Sequence, residues 1–169
     1  IDLFSATNRL LLSERVAIAE SLRSSVPTRI QEERDGTVHA LVRESPISLL
    51  RYDYPMLKPL QVWEGMPVAS VEDIAMMKIG AVIGRGARKD FIDLYAISRR
   101  HPLQRLLELA RKKFPDSQDF TMQALKALVY FEDAEKDPMP RLLAPVSWPA
   151  IVRFFEREVP QTARNLLGK

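Results

Sequence analysis

The sequence contains no cysteine and only two histidines, His39 and His101, among 169 residues. The first absence excludes disulfide frameworks and thiolate metal sites, and the second excludes a His-rich zinc centre. So few histidines also leave no Ser-His-Asp or Cys-His arrangement to propose. A metal would have to be held by carboxylates, which favours magnesium or manganese. Glycine is scarce too, with 6 residues, and none follows a phosphate-loop spacing. The stretch "KIGAVIGRGARKDFIDL", residues 78 to 94, lacks Gly-x-x-x-x-Gly-Lys-Ser/Thr. From Gly84 and Gly86, Lys89 stands where a dinucleotide fingerprint needs its third glycine. No apolar run approaches the roughly 18 residues of a membrane span, and the N-terminus lacks the regions of a signal peptide. The expected location is the cytoplasm. Ile1 opens in the middle of an apolar, strand-like run, "IDLFS", which leads us to expect further residues upstream.

Hydrophobic residues at 46% and charged residues at 28% describe a chain that folds around a core. The length suits one domain, or a small core with a helical extension. The net charge of +3 and pI near 9.3 permit a polyanionic partner without demanding one.

Residues 1 to 5 read as a strand. "NRLLLSERVAIAESLRSS" then sets Leu12, Val16, Ala19 and Leu22 at helical spacing behind a Ser13 cap. "RIQEERDGTVHALVRE" holds two alternating runs around Asp35-Gly36, a hairpin turn whose two central residues tolerate positive φ. "PISLLRYDYP" reads as a third strand, and residues 55 to 68 as an irregular crossing with a short strand near Leu60 to Trp63. Helices follow. Ser70 and Asp73 form a capping box for a helix through Ile74, Met77, Lys78 and Ala81, ended at Gly84-Arg85-Gly86. A second begins near Lys89 and turns Phe91, Leu94, Tyr95 and Ile97 inward, and others are predicted over 103–114, 119–132 and 147–167. Gly80 and Gly84 would admit a neighbouring backbone.

Asp2 would alternate with Ile1 and Leu3 on its strand, and a second acidic residue two places upstream would project with it. Such a pair holds magnesium against nucleotide phosphates, whereas a lone strand-end carboxylate more simply pairs with a cation. Asp90 and Asp93 share a helical face, with Lys89 four residues before Asp93. They either complement the helix dipole or belong to a site. Lys78, Arg85, Arg88 and Lys89 gather positive charge around the glycine corner, as solvated surface or to neutralise a triphosphate. "YFEDAEKDP", 130–138, reads as a helix end with solvated carboxylates.

"SVEDIAMMKIGAVIGRGARKDFIDLYAI", then "LVYFEDAEKDPMP" and a closing "SW" helix, resembles the AbiEii/AbiGii toxin family of nucleotidyltransferases from abortive-infection and type IV toxin–antitoxin systems. "IDLFS" looks like the end of the family's first motif, and "RYDYPMLKPL" like its third strand and the crossing beyond. The resemblance implies an α+β fold: a DNA-polymerase-β-like nucleotidyltransferase core with a small mixed sheet over residues 1–66, then a helical region over 67–169. It implies transfer of a nucleotidyl group from a nucleoside triphosphate to a nucleic acid such as tRNA, with magnesium or manganese and an antitoxin partner. Asp2 would bind the metal, and Lys78 and Arg85 the nucleotide phosphates. Lys89, Asp90 and Asp93 would form the last catalytic motif, and Asp73 would steady the helix presenting Lys78. These groups are expected to converge on a cleft containing Asp2. Two features depart from the family: the glycine turn and first aspartate of the motif would precede Ile1, and Ser48 stands where many relatives have a third carboxylate, with Asp53 further along. The alternative reading is a degenerate or truncated relative that binds nucleotide or a protein without catalysis. A basic nucleic-acid module is a third, with no recognition helix, zinc finger or RNA-recognition motif to support it.

Overall fold

The structure, a computed structural model, describes residues 1–5, 9–117 and 119–168. The fold is α+β, as expected, with a small mixed sheet followed by a helical C-terminal part. It divides into two compact units, Ile1–Tyr54 and Pro55–Lys169. The division falls ahead of residue 66 because the crossing and a small hairpin within it belong with the helices.

The first unit holds β1 (Asp2–Phe4), α1 (Leu12–Ser25), β2 (Thr28–Arg34), β3 (Thr37–Val42) and β4 (Ser45–Leu50). Its sheet order is β1-β4-β3-β2, with β1 parallel to β4 and the other neighbours antiparallel. The first helix begins one residue ahead of the predicted Ser13 cap. Leu11 is its N-cap, and the Glu14 carboxylate accepts from the Leu11 N–H at 2.7 Å. Its inward residues are Arg15 and Ala19, with Ile18 and Leu22 half-buried, whereas Leu12 and Val16 are exposed. Arg15 displaced the predicted stripe by one position because its guanidinium is bound at both ends, donating to the Leu10 carbonyl at 2.7 Å and pairing with Glu33 and Asp35. At the Asp35-Gly36 turn only Gly36 takes a positive φ. Two successive positive φ values occur instead at the next turn, Arg43-Glu44, where nothing in the sequence advertises them, and again at Glu64-Gly65.

The second unit starts with a two-stranded hairpin, β5 (Gln61–Trp63) and β6 (Met66–Val68). Beyond Val68 every regular element among the described residues is helical: α2 (Val71–Arg85), α3 (Arg88–Ser98), α4 (Leu103–Lys113), α5 (Phe120–Ala127), α6 (Glu132–Lys136) and α7 (Trp148–Leu167). The predicted helix over 119–132 stops at Ala127. Val129 and Tyr130 close back onto the carbonyls three residues earlier, and the acidic stretch becomes α6. Met76, Ile79, Phe91, Leu94, Leu106, Leu107, Ile151 and Phe155 are among the fully buried core residues. Around Phe91 lie the rings of Phe131, Trp148 and Phe155, at centroid distances of 5.3, 5.9 and 5.5 Å. Gly80 meets the Phe114 ring and Gly84 faces open space, so neither admits a backbone.

Candidate functional site

The site is built on the corner between α2 and α3. Gly86 ends α2 in the left-handed region, at φ 56°, with its N–H on the Val82 carbonyl at 3.0 Å. A residue with a side chain pays for that conformation and glycine does not. The chain turns at once into α3, whose first amide, that of Arg88, donates to Asp137 at 2.9 Å. Arg88 returns the contact by donating to the carbonyls of Ala134 and Glu135 and lying over the Trp148 ring, 4.9 Å from its centroid. The stretch read as solvated carboxylates thus fixes the start of α3.

Across this corner the helices exchange charge. Asp90, 0% exposed, accepts from Arg85 Nε at 2.8 Å and from its terminal nitrogen at 3.0 Å, a two-pronged pairing. The same carboxylate accepts from Lys78 Nζ at 3.0 Å. Lys78 also pairs with Asp93 at 2.6 Å. Burial pushes the Asp90 carboxyl up, but the Arg85 and Lys78 donors outweigh it and hold it below the ordinary carboxylate range. Burial pulls Lys78 down, and Asp93 and then Asp90 reverse this, so its ammonium is held above the usual lysine value. Both cations keep solvent access, 25% for Lys78 and 56% for Arg85, and Asp93 is 47% exposed. The arrangement is a buried anion that aims two cations outward, with a second carboxylate at its rim.

Of the sequence candidates, Lys78, Arg85, Asp90 and Asp93 come together. Lys89 does not join them: it is exposed, and among the described residues it has no ion pair, because Asp93 is taken by Lys78 instead. Asp2 lies in the first unit, exposed on β1. Its partner across the sheet is Ser48, and next in the row stands His39, whose Nδ1 is 3.1 Å from the Ser48 hydroxyl. The row ends in Glu32, which pairs with Arg34, so its two carboxylates stand at opposite ends of four strands where a metal site needs several together. Asp53 stands beyond the end of β4 and pairs with Arg51. Among the described residues no three His, Cys, Asp or Glu side chains gather as metal ligands. The residues present therefore do not make a magnesium site by themselves.

At the other end of α2 sits a second buried group, built on Asp73, whose lysine partner Lys113 was missed in the sequence. Asp73 is fully buried and accepts from the Leu57 and Lys58 amides at 3.0 Å each, from Ser70 Oγ at 3.0 Å and from Lys113 Nζ at 2.9 Å. The Asp73 N–H donates to Ser70 Oγ, as expected, and the carboxylate reaches the same cap hydroxyl as well as the amides of the crossing segment. Lys113, also 0% exposed, donates in addition to the Pro55 carbonyl at 2.6 Å. The available signal was a lysine continuing the apolar face of Leu106, Leu109 and Ala110.

The family model of the nucleotidyl transferase AbiEii toxin, type IV toxin–antitoxin system, matches residues 50–167. An uncharacterized protein of Aquifex aeolicus is 35% identical over 122 residues, 70% of this chain and 57% of its own length, so the chain spans little more than half of that relative. Two crystal structures from Helicobacter pylori are similar at 12% identity each. One, of a protein assigned as a nucleotidyltransferase, has a TM-score of 0.48 and covers 98% of this chain and 77% of its own. The other, JHP933, has a TM-score of 0.38 with 99% and 79% covered. Both likenesses are too remote to bear on residue roles. The family match takes in the whole α2–α3 corner with its four charged groups, and the chain belongs to the AbiEii family of nucleotidyl transferase toxins of type IV toxin–antitoxin systems.

Proposed function

We propose that this chain transfers a nucleotidyl group from a nucleoside triphosphate to a hydroxyl of a nucleic acid, tRNA being one acceptor of suitable chemistry, and that an antitoxin protein restrains it. The observation that carries this reading is the buried Asp90, which gathers Lys78 and Arg85 and leaves both open to solvent. A carboxylate spent only on stability would enclose its cations. Held in place, the two cations neutralise a triphosphate at little cost in reorganisation.

Lys78 exchanges Asp93 for a phosphate oxygen when nucleotide binds. Asp93, half-exposed and freed of its partner, then takes the proton of the attacking hydroxyl. The hydroxyl oxygen bonds to the α-phosphorus, the bond to pyrophosphate breaks, and the charge of the leaving group falls on Lys78 and Arg85. Asp90 is a positioning residue in this scheme, since it is enclosed. Lys89, exposed on the first turn of α3, is placed to meet the acceptor. A divalent magnesium or manganese ion, which the family implies, would find Asp2 alone at its end of the row, with Glu32 at the far end, and no step here is routed through it. The second reading is nucleotide binding without turnover.

Transfer from a labelled nucleoside triphosphate to RNA, with and without magnesium, separates the two. Lys78→Ala should weaken nucleotide binding at least as much as turnover, because a phosphate-neutralising cation acts on the ground state too. Asp93→Asn should lower turnover by 10²-fold or more, the order expected of a general base, with nucleotide binding retained. An Asp93→Asn protein that transfers at the wild-type rate removes Asp93 from the chemistry. A wild-type protein that binds nucleotide and never transfers it establishes the second reading.

A further inference from the structure

From Arg99 to Lys112 the chain carries five cations, Arg99, Arg100, Arg105, Arg111 and Lys112, against a single carboxylate, Glu108. All five are exposed. Among the described residues, the ion pair seen for these five is Arg105 with Glu108, at 3.5 Å. They follow one another along the turn between α3 and α4 and then the outer face of α4, whose opposite face buries Leu103, Leu106, Leu107, Leu109 and Ala110 in the core. Helix-end cations complement a dipole. That accounts for a charge or two at each end and leaves Arg105, in mid-helix, and the doubling at both ends unexplained. Elsewhere in the second unit the signs are mixed, as on α7, where Glu156 and Glu158 alternate with Arg153 and Arg157.

We infer that this face docks the phosphate backbone of a nucleic acid, and so deepens the acceptor reading above by giving the acceptor a place to bind outside the α2–α3 corner. The eleven residues of α4 extend about 16 Å at 1.5 Å per residue. That is about five phosphate spacings of roughly 3.4 Å along one strand. A membrane surface is the rival polyanion, and it would require apolar side chains beside the charges. Among the described residues, no exposed large hydrophobic side chain lies between Val71 and Met122. With no exposed ring on α4 to stack on a base and arginine its main donor, the stripe grips phosphate and reads little sequence.

The test is equilibrium binding of a labelled single-stranded RNA and of a DNA duplex, both of mixed sequence, as a function of salt. Two variants of equal charge are compared: Arg99→Gln/Arg100→Gln/Arg111→Gln/Lys112→Gln on the stripe, and Lys126→Gln/Lys136→Gln/Arg141→Gln/Arg153→Gln away from it. Four phosphate contacts give a log–log salt slope of about 2.8 for a single strand and 3.6 for a duplex, and a loss on the order of 10²-fold between about 50 and 200 mM salt. The stripe variant should lose most of that slope and the control variant less than about one unit of it. Both should bind nucleotide as the wild type does. The inference is overturned if the wild type does not bind nucleic acid, if both variants lose equally, or if the stripe variant loses binding to phosphatidylserine vesicles and not to nucleic acid. Intact RNA binding without nucleotidyl transfer would instead defeat the transferase reading and leave the stripe standing.

Discussion

Asp73 and Asp90 are equally shut off from solvent, both at 0% exposure, and both are bound to a lysine within 3.0 Å. They differ in what lies on the far side of the lysine. Lys113, the partner of Asp73, is itself 0% exposed and donates to the Pro55 carbonyl, so the charge is used up inside the fold. Lys78, the partner of Asp90, keeps a quarter of its surface open, and Arg85 more than half. The first network ties the crossing segment to α2 and α4; the second leaves positive charge open to solvent. A buried carboxylate therefore does not by itself mark a site in this protein. In the function proposed above, the exposure of the cations it holds does.

The comparison breaks most visibly at Asp73. Asp73→Asn leaves the Lys113 ammonium buried without a counter-charge, and removing one member of a buried pair typically costs about 3 to 5 kcal/mol. The melting temperature should drop by many degrees, while the molecules that remain folded bind nucleotide normally. Replacing both partners, as Asp73→Asn/Lys113→Met, should recover part of the loss, since no lone charge is left inside. If Asp73→Asn melts normally and loses nucleotide binding instead, the two networks have been assigned the wrong way round.

The parts of this contrast that were legible from the sequence are those carried by short-range patterns. Ser70 three residues before Asp73 predicts a helix start, and Gly84-Arg85-Gly86 predicts its end, which falls at Gly86 with its left-handed backbone. Lys78 and Arg85 at one helical spacing, and Asp90 and Asp93 at another, also follow from sequence. Their meeting does not, because it depends on the angle at the α2–α3 corner, and that angle is held by Asp137 from 49 residues away. Lys113 was illegible for the same reason, its partners being 40 and 58 residues distant. The stripe on α1 failed differently: Arg15 breaks the rule that arginine faces water, and only the Leu10 carbonyl and the acids around it explain why. Arg43 and Glu44 form a turn of two positive φ values with neither glycine nor asparagine, against their own preferences.

A smaller effect sharpens the same comparison through pH. Asp90 is held below its ordinary value, so its share of stability is complete above about pH 3.9 and is lost as pH falls through its lowered folded value. Lys78 is held above its ordinary value, so its share is complete below about pH 10.4 and is lost as pH rises through its raised folded value. Asp73 is lowered as well, burial being outweighed by the Leu57 and Lys113 donors, and adds to the acid side only. Melting temperature against pH should be level between these limits and fall at both ends. Lys78→Met should weaken the alkaline fall, and Asp90→Asn should flatten part of the acid fall. An unchanged alkaline limb in Lys78→Met would mean that solvent screens this pair as it does an ordinary surface ion pair.

The smallest and most specific effect is expected of Arg85→Lys. The substitution keeps the charge, so the sum over Lys78, Arg85, Asp90 and Asp93 is unchanged. What it removes is the fork: Arg85 meets both oxygens of Asp90 at once, at 2.8 and 3.0 Å, and an ammonium cannot span them. Lys78 already occupies one of those oxygens, so a second lysine would share it or swing into solvent. Because Arg85 is more than half exposed, the stability cost should stay within about 1 kcal/mol, the range for ion pairs open to water. The effect on nucleotide should be larger than that on folding, since a cation held by two bonds presents its outer face in one orientation and a mobile one does not. Calorimetric titration with a non-hydrolysable nucleoside triphosphate should show affinity reduced about tenfold, the equivalent of about 1.4 kcal/mol. Arg85→Gln, which loses fork and charge together, should lie lower still. If Arg85→Lys binds as tightly as the wild type and Arg85→Gln does not, charge alone is at work, and the bidentate hold of Asp90 serves the corner between α2 and α3 rather than the ligand.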